Sequence, residues 1–181
     1  MRFNRNKIET LLSILSDRLC VKGVKGQLFL VGGGAIAIAF NPERWTRDLD
    51  ALFEPKSLIY SESKAIAREN SIPEDWLNDA VKSFQLGEDP DATVFFDKPG
   101  LKVSVASPKC LLAMKLASSR VDDDVEDIRT LLTFCGYPNG IKIDEIVEDL
   151  VQRWPILENR WLPKAQYILQ ELLNELRPQS P

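Results

Sequence analysis

Three consecutive glycines, Gly32, Gly33 and Gly34, follow the apolar run Leu28-Phe29-Leu30-Val31, and two acids, Asp48 and Asp50, flank Leu49 a short way on. Glycine lets backbone approach a phosphate closely, and a helix starting at Ala35 would aim N–H groups at it. On a strand, residues i and i+2 project to one face, so Asp48 and Asp50 would be neighbours, about 6–7 Å apart at Cα. Two carboxylates that close repel each other unless a cation lies between or beside them. Mg²⁺ suits such a pair, being hard and oxygen-seeking, and two-metal sites of this kind serve phosphoryl and nucleotidyl transfer. A plain tight turn and a solvent-facing acid pair are the ordinary alternatives. The apolar Leu49, Leu52 and Phe53 argue against the second, because free acids on a central strand are costly.

The elements that must position these residues follow from periodicity. Ile8, Leu11, Leu12, Leu15 and Leu19 recur at helical spacing, so residues 5–20 form an amphipathic helix ended by Gly23 and Gly26. Residues 27–31 read as a strand buried on both faces, 35–40 as a small-residue helix on the sheet, and 48–53 as the second strand. Residues 61–70 are helical. Ser71-Ile72-Pro73-Glu74 has the form of a capping box, which predicts a helix to about Phe84. A hairpin follows, with strands 92–96 and 101–106 around Pro99-Gly100. Four helices complete the chain: 109–119, one opened by Asp122-Asp123-Asp124, 143–153 and 163–176. The fold class is therefore α+β, a small mixed sheet flanked by helices with a helical C-terminal half. Residues 1–106 would form the α/β core and 107–181 the helical part, packed on it as one compact unit.

Composition narrows the chemistry. The 181 residues contain no histidine, which removes Ser-His-Asp and Cys-His hydrolases and histidine-ligated zinc. Cys20, Cys110 and Cys135 lie far apart and read as buried free thiols of a reducing compartment. No apolar run approaches the length that spans a bilayer, and the polar N-terminus is unlike a secretory signal, so a cytoplasmic protein with no membrane partner is expected. The net charge of −4 is unlike that of a non-specific nucleic-acid coat. Six bases within residues 1–26 make a basic stretch, read as a solvated helix face.

Gly33-Gly34, thirteen residues, then Asp48-Leu49-Asp50 resembles the signature of the nucleotidyltransferase superfamily, the fold of DNA polymerase beta and many small bacterial enzymes. The resemblance implies that Gly32, Gly33 and Gly34 hold the triphosphate of an NTP and that Asp48 and Asp50 bind Mg²⁺, with room for a two-metal site. Pro108 to Arg120 and Asp124 to Ile128 resemble the helix pair of bacterial abortive-infection and toxin-type nucleotidyltransferases. That likeness implies Lys115 on the nucleotide phosphates and Asp124 or Asp127 completing the acidic cluster. It also implies a tRNA or protein acceptor and an antitoxin protein partner.

Read from its own surroundings, Lys115 sits among Leu111, Leu112, Met114 and Leu116, where a snorkelling side chain or a salt bridge to the acidic run serves equally well. Asp124 reads as a helix cap. Arg44, Thr46 and Arg47 precede the acids and are candidate phosphate or acceptor contacts; Trp45 and Trp76 are candidates for stacking on a base. One departure stands out. Many nucleotidyltransferases carry a third carboxylate on a later strand, and Leu101 to Ala106 has none. Either Asp127 substitutes, or the domain is a catalytically silent module that binds nucleotide or a partner protein. A purely structural α+β domain is the remaining reading.

Overall fold

In the computed structural model, the described residues are 1–79, 87–118, 124–158 and 163–175. The chain divides into two compact units. An α/β unit comprises residues 1–85 and 89–107, and a helical unit comprises 86–88 and 108–181.

The α/β unit begins with helix α1, Arg5–Val21, whose N-cap Asn4 accepts from the Lys7 amide at 3.0 Å. The expected apolar stripe of Ile8, Leu11, Leu12, Leu15 and Leu19 is fully buried. Cys20 lies one step round the helix from Leu19 and is exposed, contrary to the expectation of a buried thiol. Strands β1 (Gly26–Val31), β2 (Leu49–Glu54), β3 (Leu77–Asn78), β4 (Thr93–Lys98) and β5 (Leu101–Val105) form one mixed sheet in the order β3-β2-β1-β5-β4. β1 runs antiparallel to β2 and parallel to β5. One sheet face carries Leu28, Leu30, Leu49, Ala51, Phe53, Leu101, Val103 and Val105, all buried. Helices α1 and α3 (Lys56–Glu69) cover it: a Cβ at Gly26 would meet Leu19, Ile59 and Leu101 together. β1 differs from the expected two-face burial, since Gln27 is exposed and Phe29 half-buried on the other side.

The predicted helix after Ser71 does not form over the described residues. Residues 71–76 turn instead, with Ser71 at φ 52°. Glu74 pairs with Arg68 at 2.9 Å rather than closing a capping box. Tertiary packing overrides the local signal. Trp76 is wholly buried, donates its indole N–H to the Ser63 carbonyl at 3.0 Å and accepts from the Leu49 amide at 2.7 Å, which delivers Leu77–Asn78 as a strand beside β2. The predicted residues 80–84 lie outside those described.

The basic stretch near the N-terminus is largely neutralised. Arg18 pairs with Glu62 and Glu69, Lys22 with Glu62, and Lys25 with Asp97. The helical unit contains α4 (Pro108–Leu116), α5 (Val125–Phe134), α6 (Ile143–Arg153) and α7 (Pro163–Glu175). The Trp154 indole donates to the Glu88 carbonyl at 3.1 Å, which ties Glu88 to this unit.

Candidate functional site

Helix α2 (Gly32–Ala39) starts on the first glycine, so the triplet is its opening turn rather than a loop ahead of it. Gly32 makes the strand-to-helix bend at φ +64°, a conformation that residues with a Cβ resist. Val31 occupies the N-cap position without a side-chain cap bond, which leaves the first amides of α2 without that partner.

The glycines and the acids meet. Val31 pairs with Asp50 across β1 and β2. The Asp50 carboxylate lies so near the bend that a Cβ at Gly32 would fall 2.8 Å from Asp50 Oδ2. A Cβ at Gly34 would fall 2.6 Å from a Leu49 methyl and 3.2 Å from the Asp48 carbonyl oxygen. The thirteen intervening residues therefore fold back on themselves, and only glycine permits the approach. Asp48, immediately before β2, and Asp50 are both half-buried while Leu49, Ala51 and Phe53 are buried.

The 44–48 segment is braced. Phe3 and Thr46 exchange two backbone hydrogen bonds, at 2.7 and 3.0 Å, and Phe3 is buried. The buried Thr46 donates its hydroxyl to the Asp48 carbonyl at 2.9 Å, which makes it a brace for the acids. Arg44 donates to the Gly33 carbonyl at 3.4 Å, and a Cβ at Gly33 would lie 2.9 Å from its guanidinium. Asp48, Asp50 and Arg44 are each partnered within the protein. Arg47 is exposed.

The donor set at this corner fits Mg²⁺. Two carboxylates two residues apart, one of them against a residue that has no side chain, are hard oxygen donors. Mg²⁺ commonly takes one or two protein carboxylates and completes its octahedron with water and phosphate oxygens. Among the described residues no group of three or more Asp, Glu, Cys or His side chains is assembled as a metal cage. β5 carries no carboxylate; Ser104 is the residue that pairs with Phe29 of β1.

No family model matches the chain, and no curated protein matches it in sequence. Among solved structures, the chain is similar to an antigenic nucleotidyltransferase-like protein from Paracoccidioides brasiliensis. The identity is 16%, the match covers 93% of this chain and 95% of that one, and the TM-score is 0.47. No helix among the described residues is long and apolar enough to cross a membrane.

Lys115, Asp124 and Asp127 come together within the helical unit. The Lys115 ammonium lies 2.6 Å from Asp124 and 3.0 Å from Asp127, and all three side chains are largely buried. This is the salt bridge to the acidic run. Ser118 also donates to Asp124, at 3.3 Å. Asp124 occupies the N-cap position of α5 but makes no side-chain cap bond, because its carboxylate is turned to Lys115. Asp122 and Asp123 lie outside the described residues.

A second polar cluster escaped the sequence reading. Asp149 on α6 accepts from Tyr137 at 2.8 Å and pairs with Lys109 at 2.8 Å and Arg153 at 3.4 Å. Burial works to raise the Asp149 carboxyl, but the bonds from Lys109 and Tyr137 and the nearby positive charges outweigh it and hold it below the usual carboxylate range. Burial pushes the neighbouring Cys135 thiol up to about 12, so it stays protonated and unreactive at neutral pH. Only Arg153, at i+4 from Asp149, was legible as a partner from spacing.

Proposed function

We propose that the Gly32–Asp50 corner is the nucleotide site of a Mg²⁺-dependent nucleotidyltransferase, which moves NMP from an NTP to an RNA or protein acceptor. The observation that supports this reading is the placement of the Asp50 carboxylate against Gly32 at the start of α2. Phosphate-facing backbone and metal-binding oxygen are then one corner of the α/β unit. In this reading Gly33 and Gly34 offer backbone N–H groups to the phosphates, helped by the positive end of α2. Arg47 adds charge from the solvent side. Asp48 and Asp50 would hold Mg²⁺, which when bound neutralises phosphate oxygens. The acceptor oxygen bonds to the α-phosphorus as the bond to the bridging oxygen breaks, releasing pyrophosphate and a proton. A toxin acting on tRNA, held in check by an antitoxin protein, is one form this reading takes.

A second reading has its own observation. β5 lacks a carboxylate, and Asp127, the candidate substitute, is paired with Lys115. That favours a module that binds nucleotide without transferring it.

Isothermal titration with NTP and Mg²⁺ tests the site. The wild-type protein is expected to bind, with the heat abolished by Asp48→Asn/Asp50→Asn and by omitting Mg²⁺. No binding by wild type, or equal binding by the double variant, rejects the corner. Label carried from α-³²P-NTP into total tRNA or protein separates the two readings: transfer supports the enzyme, and binding without transfer supports the silent module.

A further inference from the structure

Trp45 and Trp76, equal candidates for base stacking in the sequence, part company in the fold. Trp76 is core. Trp45 is 54% exposed, and it sits between Arg44 and Thr46, whose side chains both reach Gly33. Isolated exposed apolar residues are common and mean little by themselves. Trp45 differs in where it is anchored. Thr46 is tied to buried Phe3 by two backbone bonds and to Asp48 by its hydroxyl, so the ring is held out to solvent by a braced segment rather than by a fraying one. Among the described residues its indole has no hydrogen bond, ring contact or cation above it. Arg47, two residues on, is exposed and has no ion pair among the described residues. An exposed aromatic ring and an exposed guanidinium two residues apart on one braced segment are the two groups that stack an unpaired nucleobase and neutralise its phosphate.

We infer that Trp45 is the stacking platform for a nucleobase at the Gly32–Asp50 corner, with Arg47 as its phosphate partner. The inference rests on the proposed nucleotide site and adds the group that would grip the base. Two molecules present that chemistry, the incoming NTP and the unpaired end of an RNA acceptor.

The test compares wild type, Trp45→Ala and Trp45→Phe in binding to three probes: NTP with Mg²⁺, inorganic tripolyphosphate with Mg²⁺, and a short single-stranded RNA. Circular dichroism checks that each variant folds. Trp45→Ala is expected to weaken NTP or RNA about tenfold, with Trp45→Phe retaining most of the affinity. Tripolyphosphate, which has no base, should be unaffected. Loss confined to NTP assigns the platform to the donor, and loss confined to RNA assigns it to the acceptor. Unchanged binding of both, an equal loss for tripolyphosphate, or no binding of either base-bearing probe by wild type overturns the inference. If Asp48→Asn/Asp50→Asn abolishes NTP binding while Trp45→Ala changes nothing, the platform fails and the corner stands. If wild type ignores NTP but binds RNA through Trp45, the corner fails and the platform stands.

Discussion

The protein uses paired aspartates twice, in opposite ways. In the helical unit Asp124 and Asp127 close on one ammonium, and all three side chains are largely out of water. In the α/β unit Asp48, just before β2, and Asp50, on it, are both half-buried, with the Asp50 carboxylate against a glycine bend and the opening turn of a helix nearby. The first arrangement holds its own cation within the fold, and removing Lys115 leaves two largely buried carboxylates without it. The second pair is also partnered within the protein, but it lies at a glycine bend and a helix start, the corner to which the proposed function assigns Mg²⁺ and phosphate. Proximity of acids in sequence says nothing about which of these a protein builds. The groups that the fold brings beside the pair decide it.

The largest effect that could break this contrast is on Lys115. Lys115→Ala should cost about 3 kcal/mol in urea unfolding, since it strands two largely buried carboxylates. A loss below about 1 kcal/mol would show that the cluster is solvated and the contrast false. Next comes the glycine bend. Gly34→Ala should destabilise by about 1–3 kcal/mol, because its methyl meets Leu49 and the Asp48 carbonyl in a packed position. Gly32→Ala should cost about 1–2 kcal/mol for its positive φ. It should also push the Asp50 carboxylate aside and so weaken Mg²⁺-dependent NTP binding more than its stability cost alone explains. Unaltered NTP affinity in a folded Gly32→Ala protein would separate the bend from the site.

The smallest effect concerns pH. The folded Asp149 carboxyl lies below its unfolded value. Its contribution is therefore present above the ordinary aspartate range, near about 4, and is lost as pH falls through the depressed folded value. Asp149 is partly exposed, so the difference should stay below about 1 kcal/mol. Acid titration of unfolding should be shallower in Asp149→Asn than in wild type. An identical acid limb in both would mean that the Lys109–Asp149–Tyr137 group contributes nothing measurable.

The periodic elements were readable because burial imposes a period. The α1 stripe, strand β5 and helices α6 and α7 each have apolar residues recurring where a core must lie, and the Pro99-Gly100 turn marked the hairpin although its other strand, β4, has no buried residue. The alternation of β2, with Leu49, Ala51 and Phe53 buried and Asp50 half-buried, was readable for the same reason. Ser71 to Glu74 misled because a capping box is a local signal worth about 1 kcal/mol. Burying the Trp76 indole with its N–H satisfied outweighs it. The two tryptophans were indistinguishable for a related reason: residue type does not say which side of a chain faces the core.

By itself the sequence determined the ingredients: a glycine triplet, an i, i+2 acid pair, a histidine-free chemistry and the helical or extended habit of most segments. Those depend on covalent structure and on short-range periodicity. Tertiary packing alone decided that Asp50 meets Gly32, that Lys115 is clamped by Asp124 and Asp127, and that Trp45 faces water while Trp76 does not. Each of those outcomes is settled by which distant surfaces exclude water together, a quantity no local pattern encodes.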